Sequence, residues 1–267
     1  MLTKFHYLNT VISNLINEIV ADLYKKAGEG IVCYKRIADI LTYVIKRKPI
    51  YFPRDLEKDV MWISTVDKVR RLFNFINIIQ EKYVASMLDH YKSALDHAKG
   101  IISLSKTRYI ILCDAFSLTE ALYFAVIFRR KIRFITALIN PGGNTLTFKY
   151  LMSASSGMPF EEATHSKIAK YLKEFFGAKD HNVFREIDQA VHRLQDVNKN
   201  YVASELYSIT TRLSNGIRNV MESYKASLIL LSDHGYDIDC IGSVCSLKHC
   251  WENKASLSTL APLLIIG

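Results

Sequence analysis

The sequence predicts an α/β fold, a mainly parallel sheet flanked by helices, preceded by an all-α N-terminal region. Three observations carry this. The 267 residues are 49% hydrophobic and 23% charged, enough apolar material for a sizeable core and too much for a disordered chain. Up to Gly100 the apolar residues recur at helical spacing. Beyond it, short apolar runs alternate with helical patterns, which is the grammar of strands joined by crossover helices.

Taken in order, Leu8, Val11, Ile12, Leu15, Ile16 and Ile19 form one amphipathic stripe, ended by Gly28 and Gly30. Ile37, Ile40, Leu41, Val44 and Ile45 form the next, closed by Pro49, with Pro53 marking a second break. A long pattern from Thr65 to Lys99 meets no Gly or Pro until Gly100. Arg108 to Cys113 is too short for a helix and rich in β-branched residues, so it reads as a buried strand. Ser117 with Glu120 three residues on makes a capping box for a helix to Phe128. Arg133 to Ile139 is a strand, Pro141 to Thr145 a turn, and Leu146 to Met152 a helix. Helices are expected over Glu161–Phe176, Val183–Leu194 and Tyr201–Tyr224, and strands over Ser227–Leu231 and Pro262–Ile266. The chain divides near residue 104 into a helical region, 1–104, and an α/β region, 105–267.

The net charge is +9, split as +5 over 1–104 and +4 over 105–267 by counting Lys and Arg against Asp and Glu. This balance favours an anionic partner such as a nucleotide or nucleic acid, although a Lys-rich solvated surface accounts for it equally well. The first residues, Met1-Leu-Thr-Lys-Phe-His-Tyr, lack the pattern of a secretory leader. The apolar stretch Tyr109–Phe128 holds Asp114 and Glu120, which disfavours a membrane span. A cytoplasmic protein without membrane contact is therefore expected. Five Cys do not describe a disulfide scaffold, and the C-x4-C-x4-C spacing of Cys240, Cys245 and Cys250 is not that of a structural zinc site, so free thiols are expected.

The chemistry-bearing residues lie mostly at strand ends. Leu228-Ile-Leu-Leu-Ser-Asp-His-Gly235 puts Asp233 and His234 directly after an apolar strand, where α/β sheets bind ligands. Asp and neutral His both ligate zinc or manganese, and Gly235 permits a sharp turn after them. Asp114 ends the Tyr109–Cys113 run in the same way, although capping a helix is an equally ordinary role. His249 follows His234 by fifteen residues. Asp188 and His192, four apart, share one helix face and can reach one ion, or simply face water. Thr145 stands where a helix begins, a place whose free N–H groups favour phosphate. A hydroxyl there can attack phosphorus when a metal lowers its pKa. Thr147 and Ser117 compete with it for that role, and His165 and Asp180-His181 are rivals for the metal-ligand roles of Asp188 and His192.

As a set, these residues resemble the alkaline-phosphatase superfamily, and within it the PglZ domain most closely, over roughly residues 106–267. Ser232-Asp-His-Gly235 carries the resemblance, supported by His249 and the segment Ala255 to Gly267. Asp114 matches the Asp after the family's first strand, and Thr145, thirty-one residues later, the family's helix-start nucleophile. The resemblance implies an alkaline-phosphatase-like sheet and two divalent metal ions, zinc or else manganese. Asp114, Thr145, Asp233 and His234 would surround one ion; Asp188, His192 and His249 would hold the other. It further implies a metal-dependent phosphoester hydrolase with a Thr nucleophile. The positive charge points to a phosphodiesterase acting on a nucleotide or oligonucleotide. Cys250 and Trp251 stand where the family commonly has two Gly, and Ala115-Phe-Ser-Leu-Thr lacks the family's nearby Arg. Two other readings stay open: a non-catalytic binding or defence-complex component retaining the fold, and a DNA-binding protein using Tyr34–Leu41, Lys46–Lys48 and Lys68–Arg71.

Overall fold

The computed structural model describes residues 84–102, 107–128, 130–140, 142–249, 258 and 260–267. The two stripes expected before residue 50, and the basic segments at 34–41, 46–48 and 68–71, lie outside the described residues. Of the long helical pattern expected to end at Gly100, the described part is helix α1 (Val84–Ile101), which runs through that glycine.

Beyond it the chain is α/β. Strands β1 (Arg108–Cys113), β2 (Ile132–Ile139), β3 (Asp180–Phe184), β5 (Ser227–Ser232) and β8 (Leu260–Ile266) form one sheet in the order β2-β8-β5-β1-β3. β1 pairs in parallel with both β5 and β3, and β8 runs antiparallel to β5 and to β2. Four strands therefore point one way and β8 the other, which makes the sheet mixed and mostly parallel. Two-residue periodicity divides the side chains between two cores. On one face Ile111, Leu228, Leu230, Leu264 and Ile266 pack with helices α2 (Leu118–Ile127), α5 (Glu186–Arg193) and α6 (Lys199–Tyr224). On the other, Ile110, Leu112, Ile229, Leu231 and Leu263 pack with α1, α3 (Thr145–Ser156) and α4 (His165–Phe176). Each fully buried Leu or Ile of these layers contributes about 1.5–3 kcal/mol. α1 lies on the N-terminal side of the expected division near 104, yet Tyr91, Ala94, Leu95 and Ala98 belong to this second core.

Three local expectations are corrected. Val183–Leu194 is not one helix: Asp180–Phe184 is strand β3, and α5 starts only at Glu186. β3 is a polar, half-exposed edge strand, so it lacks the apolar run of a buried one. Glu161–Phe176 splits into a 3₁₀ turn (Phe160–Glu162) and α4, because Thr164 caps a new helix by accepting the Lys167 N–H. A second, three-stranded sheet, β4 (Val197–Asn198), β7 (Val244–Lys248) and β6 (Asp237–Ile241), occupies a stretch for which no strands were expected. Finally, Pro262 lies inside β8, a central strand, where a missing N–H is ordinarily costly. It is tolerated because the pairing with β5 stops at Leu231↔Leu263, one residue short of it.

Among the described residues no helix is long and apolar enough to cross a membrane.

Candidate metal centre

All four parallel strands deliver their carboxyl ends to one edge of the sheet, and the polar residues follow immediately. Asp114 leaves β1, Asp233 and His234 leave β5, Asn140 leaves β2 just ahead of Thr145, and β3 leads into α5 with Asp188. The register holds them level. Cys113 pairs with Ser232 on one side and Phe184 on the other, and the Asp114 N–H donates to the Phe184 carbonyl at 2.8 Å.

Asp233 is fully buried and every oxygen it has is used. Oδ1 accepts the backbone N–H of Ala115 (3.0 Å) and of His234 (2.8 Å). Oδ2 accepts the Thr145 hydroxyl (3.0 Å) and lies 3.0 Å from His165 Nε2. Its carbonyl accepts Asn140 Nδ2 at 2.8 Å, and the same Nδ2 donates to the Asn144 carbonyl at 2.8 Å. Burial alone would raise the Asp233 carboxyl, but His234 and His165 outweigh it and hold it below the ordinary range. Asp114 differs. Its Oδ2 is 3.7 Å from His165 Nε2, its Oδ1 is 3.6 Å from His234 Nε2, and that buried Oδ1 has no hydrogen bond among the described residues. Burial first, and then the neighbouring Asp233 charge, push the Asp114 carboxyl up to about 7.

Thr145 reaches this pair through a shaped turn. Asn144 caps α3 by accepting the Thr147 N–H at 2.8 Å. Gly143 has a left-handed φ of 56°, and a Cβ there would stand 2.6 Å from Ser258 Oγ, so only glycine fits. Thr145 Oγ1 then lies 3.4 Å from His234 Nε2 as well as against Asp233. His234 donates Nδ1–H to the Gly235 carbonyl at 2.7 Å, which leaves its Nε2 lone pair facing the site. Burial lowers its pKa and favours the neutral ligand form.

The second group sits on the rim. Asp188 Oδ1 is 3.3 Å from His249 Nε2 and 3.4 Å from His192 Nε2, and the two imidazole nitrogens are 3.2 Å apart. The His234 and His249 ring centroids are 4.7 Å apart, which links rim and interior. Burial opposes ionisation of Asp188, but the hydrogen bond to His249 and the nearby imidazoles hold its carboxyl below the usual range.

The structure thus brings Asp114, Thr145, Asp188, His192, Asp233, His234 and His249 to one edge. Their grouping departs from the one the resemblance implies. Two triads have ligand atoms all within 4.8 Å of one another: Asp114, His165 and Asp233, and Asp188, His234 and His249. His165 therefore enters the inner group, and His234 falls between the two. His165 is the first residue of α4, buried, its ring stacked on Phe148. The signal for it in the sequence is a histidine directly after a helix-capping Thr164, which says that it sits at a helix start but not what it meets. Its rival His181 lies on β3 beside Asp180 and belongs to neither triad. The competing nucleophile Ser117 is committed elsewhere, since its hydroxyl and N–H both donate to the buried Glu120, which Tyr236 also bonds. Cys113 is a free buried thiol, whereas Cys245 is disulfide-bonded, against the expectation of free thiols.

The donors fit a divalent cation. Carboxylate and imidazole are the ligands of zinc and manganese, the tautomer of His234 is fixed by a backbone carbonyl, and a cation beside Asp114 would satisfy its unbonded oxygen and relieve its conflict with Asp233. No protein-family model matches the chain, and no curated protein matches it.

Proposed function

We propose that the protein is a metal-dependent phosphoester hydrolase with Thr145 as nucleophile. The observation that carries this reading is the Thr145 hydroxyl, at the N-terminus of a twelve-residue helix, hydrogen-bonded to Asp233 and bracketed by two Asp/His triads. The resemblance of Ser232-Asp-His-Gly235, Asp114, Thr145 and His249 to the PglZ branch of the alkaline-phosphatase superfamily supports it. Asp114, His165 and Asp233 would hold one ion and Asp188, His234 and His249 the other, with His192 adjoining the second; zinc suits these donors best, with manganese the alternative. Bound divalent cations would supply Lewis-acid stabilisation of phosphoryl oxygens and ease ionisation of a nearby hydroxyl.

The chain's own residues supply the rest. Asp233 Oδ2 accepts the Thr145 proton in a hydrogen bond and so orients the Oγ1 lone pairs outward. The positive end of α3, whose first residue is Thr145, favours the negative charge of incoming phosphoryl oxygens. Asn140 ties the Asp233 backbone to the start of that helix, which keeps nucleophile and carboxylate in register. Attack by Thr145 on phosphorus expels the leaving alcohol, and water then cleaves the phosphothreonine to release the product. Among phosphoesters, a nucleotide or oligonucleotide diester is the preferred substrate class, because the chain carries a net +9.

Metal analysis of purified protein, followed by hydrolysis of bis-p-nitrophenyl phosphate, tests the reading. Zinc or manganese should be present, chelation should abolish turnover, and Asp233→Ala and His234→Ala should lose both metal and activity. Protein that binds no divalent metal, with variants indistinguishable from wild type, would end it.

A further inference from the structure

Arg185 occupies the junction between β3 and α5. It is the residue after Phe184, whose carbonyl accepts the Asp114 N–H, so Arg185 and Asp114 leave neighbouring strands at the same level. One helical turn later on its other side comes Asp188 of the rim triad. Its backbone, at φ −119° and ψ 0°, turns the chain from β3 into α5. Its side chain is exposed, and among the described residues it makes no ion pair or hydrogen bond. The adjacent acid, Glu186, is taken by Arg212 at 2.7 Å, and Asp180 bonds the His181 N–H. Arg185 also lies close enough to His165 for the two side chains to interact electrostatically. A cation with no ion-pair or hydrogen-bond partner among the described residues is thus set beside the centre, between the backbones that carry one ligand of each triad.

We infer that Arg185 is a substrate-binding residue whose guanidinium receives the non-bridging oxygens of the phosphoryl group presented to Thr145. This rests on the hydrolase reading above and adds its anion-recognition element. A guanidinium offers two parallel N–H donors that match two oxygens of a tetrahedral phosphoryl group, and it keeps its charge at any working pH. It also supplies what the triads do not: an N–H donor with no acceptor among the described residues.

The test uses the full chain loaded with zinc, in wild type, Arg185→Ala and Arg185→Lys. Binding of inorganic phosphate is measured by calorimetry, metal content by mass spectrometry, and turnover with bis-p-nitrophenyl phosphate. Arg185→Ala should weaken phosphate binding and lower kcat/KM by tenfold or more while keeping the wild-type metal content, and Arg185→Lys should fall between, since it keeps the charge and loses the fork. Phosphate affinity within twofold of wild type, loss of metal from Arg185→Ala, or a wild type that takes up no phosphate would each overturn the assignment. If wild type hydrolyses the diester and Arg185→Ala is unchanged, the Arg185 role falls and the hydrolase stands. If phosphate binding depends on Arg185 but metal-loaded wild type turns nothing over, the binding site stands and the hydrolase falls.

Discussion

The two triads at the sheet edge use the same residue types under opposite conditions. The inner one, Asp114, His165 and Asp233, is buried throughout, and its two carboxylates compete, so that Asp114 is pushed up to about 7. The rim one, Asp188, His234 and His249, has a single carboxylate among imidazoles, with His192 standing 65% exposed beside it, and its carboxyl is held low. The inner triad is an unfavourable arrangement that a cation would repair, whereas the rim triad is already balanced. Within the proposed function, the inner ion is therefore the structural and catalytic anchor, and the rim ion the more exchangeable one.

The largest expected effect falls on the inner group. Thr145→Ala should lower kcat on bis-p-nitrophenyl phosphate by about 10³-fold or more, as loss of a nucleophile does elsewhere, with far-UV circular dichroism unchanged. Asp233→Asn should do as much and also lower the melting temperature, because the Ala115 and His234 N–H groups and the His165 ring lose a charged acceptor in a buried site. Comparable turnover in these variants and wild type would erase the distinction between interior and rim.

The comparison sharpens next through the histidines. Titrated with zinc, His165→Ala should lose one tight equivalent, while the exposed His192→Ala should weaken one equivalent by about 10–100-fold, the range of a group that supports a ligand. The reverse ranking would assign the anchor to the rim.

A third test uses pH. The raised Asp114 carboxyl means that the native metal-free protein holds a proton the unfolded chain gives up near pH 4, so its contribution to stability declines as pH rises from about 4 to 7. Asp188, held low, contributes in the opposite sense, and its share is lost only as pH falls below about 4. Zinc competes with the Asp114 proton, so saturating zinc should raise the melting temperature by several degrees at pH 8 and by less at pH 5.5. Asp114→Asn should remove most of that difference; an equal zinc shift at both pH values would show that Asp114 is not the group being relieved.

The smallest effect belongs to the surface. Lys167 and Glu162 form an exposed pair at 2.7 Å near the start of α4, and Lys167→Ala should change stability by less than about 1 kcal/mol in urea titration.

What could be read in the sequence followed distance along the chain. Asp233 and His234 directly follow a strand, so the apolar run and its ligands are visible together, and Asp114 is marked in the same way. Ser117 and Glu120, three residues apart, form their cap as expected. His165 stayed a rival because what defines it is Asp233, sixty-eight residues away. β3 carries no such mark, because an edge strand needs no apolar run. The β6–β7 hairpin does leave a trace, an alternating stretch around Gly242-Ser243. The direction of β8 was not legible, since nothing in a short apolar run says which way it enters a sheet.

That entry has a consequence for assembly. β2 and β5 are separated in the sheet only by β8, which pairs with both. Without Leu260–Ile266 the strands would fall into β5-β1-β3 and a lone β2, and the edges of β5 and β2 that β8 covers would be open to pairing between chains. Those seven residues thus act as a keystone: a substitution that keeps β8 out of the sheet should draw the protein towards aggregation, and it should separate Thr145, which follows β2, from Asp233, which follows β5.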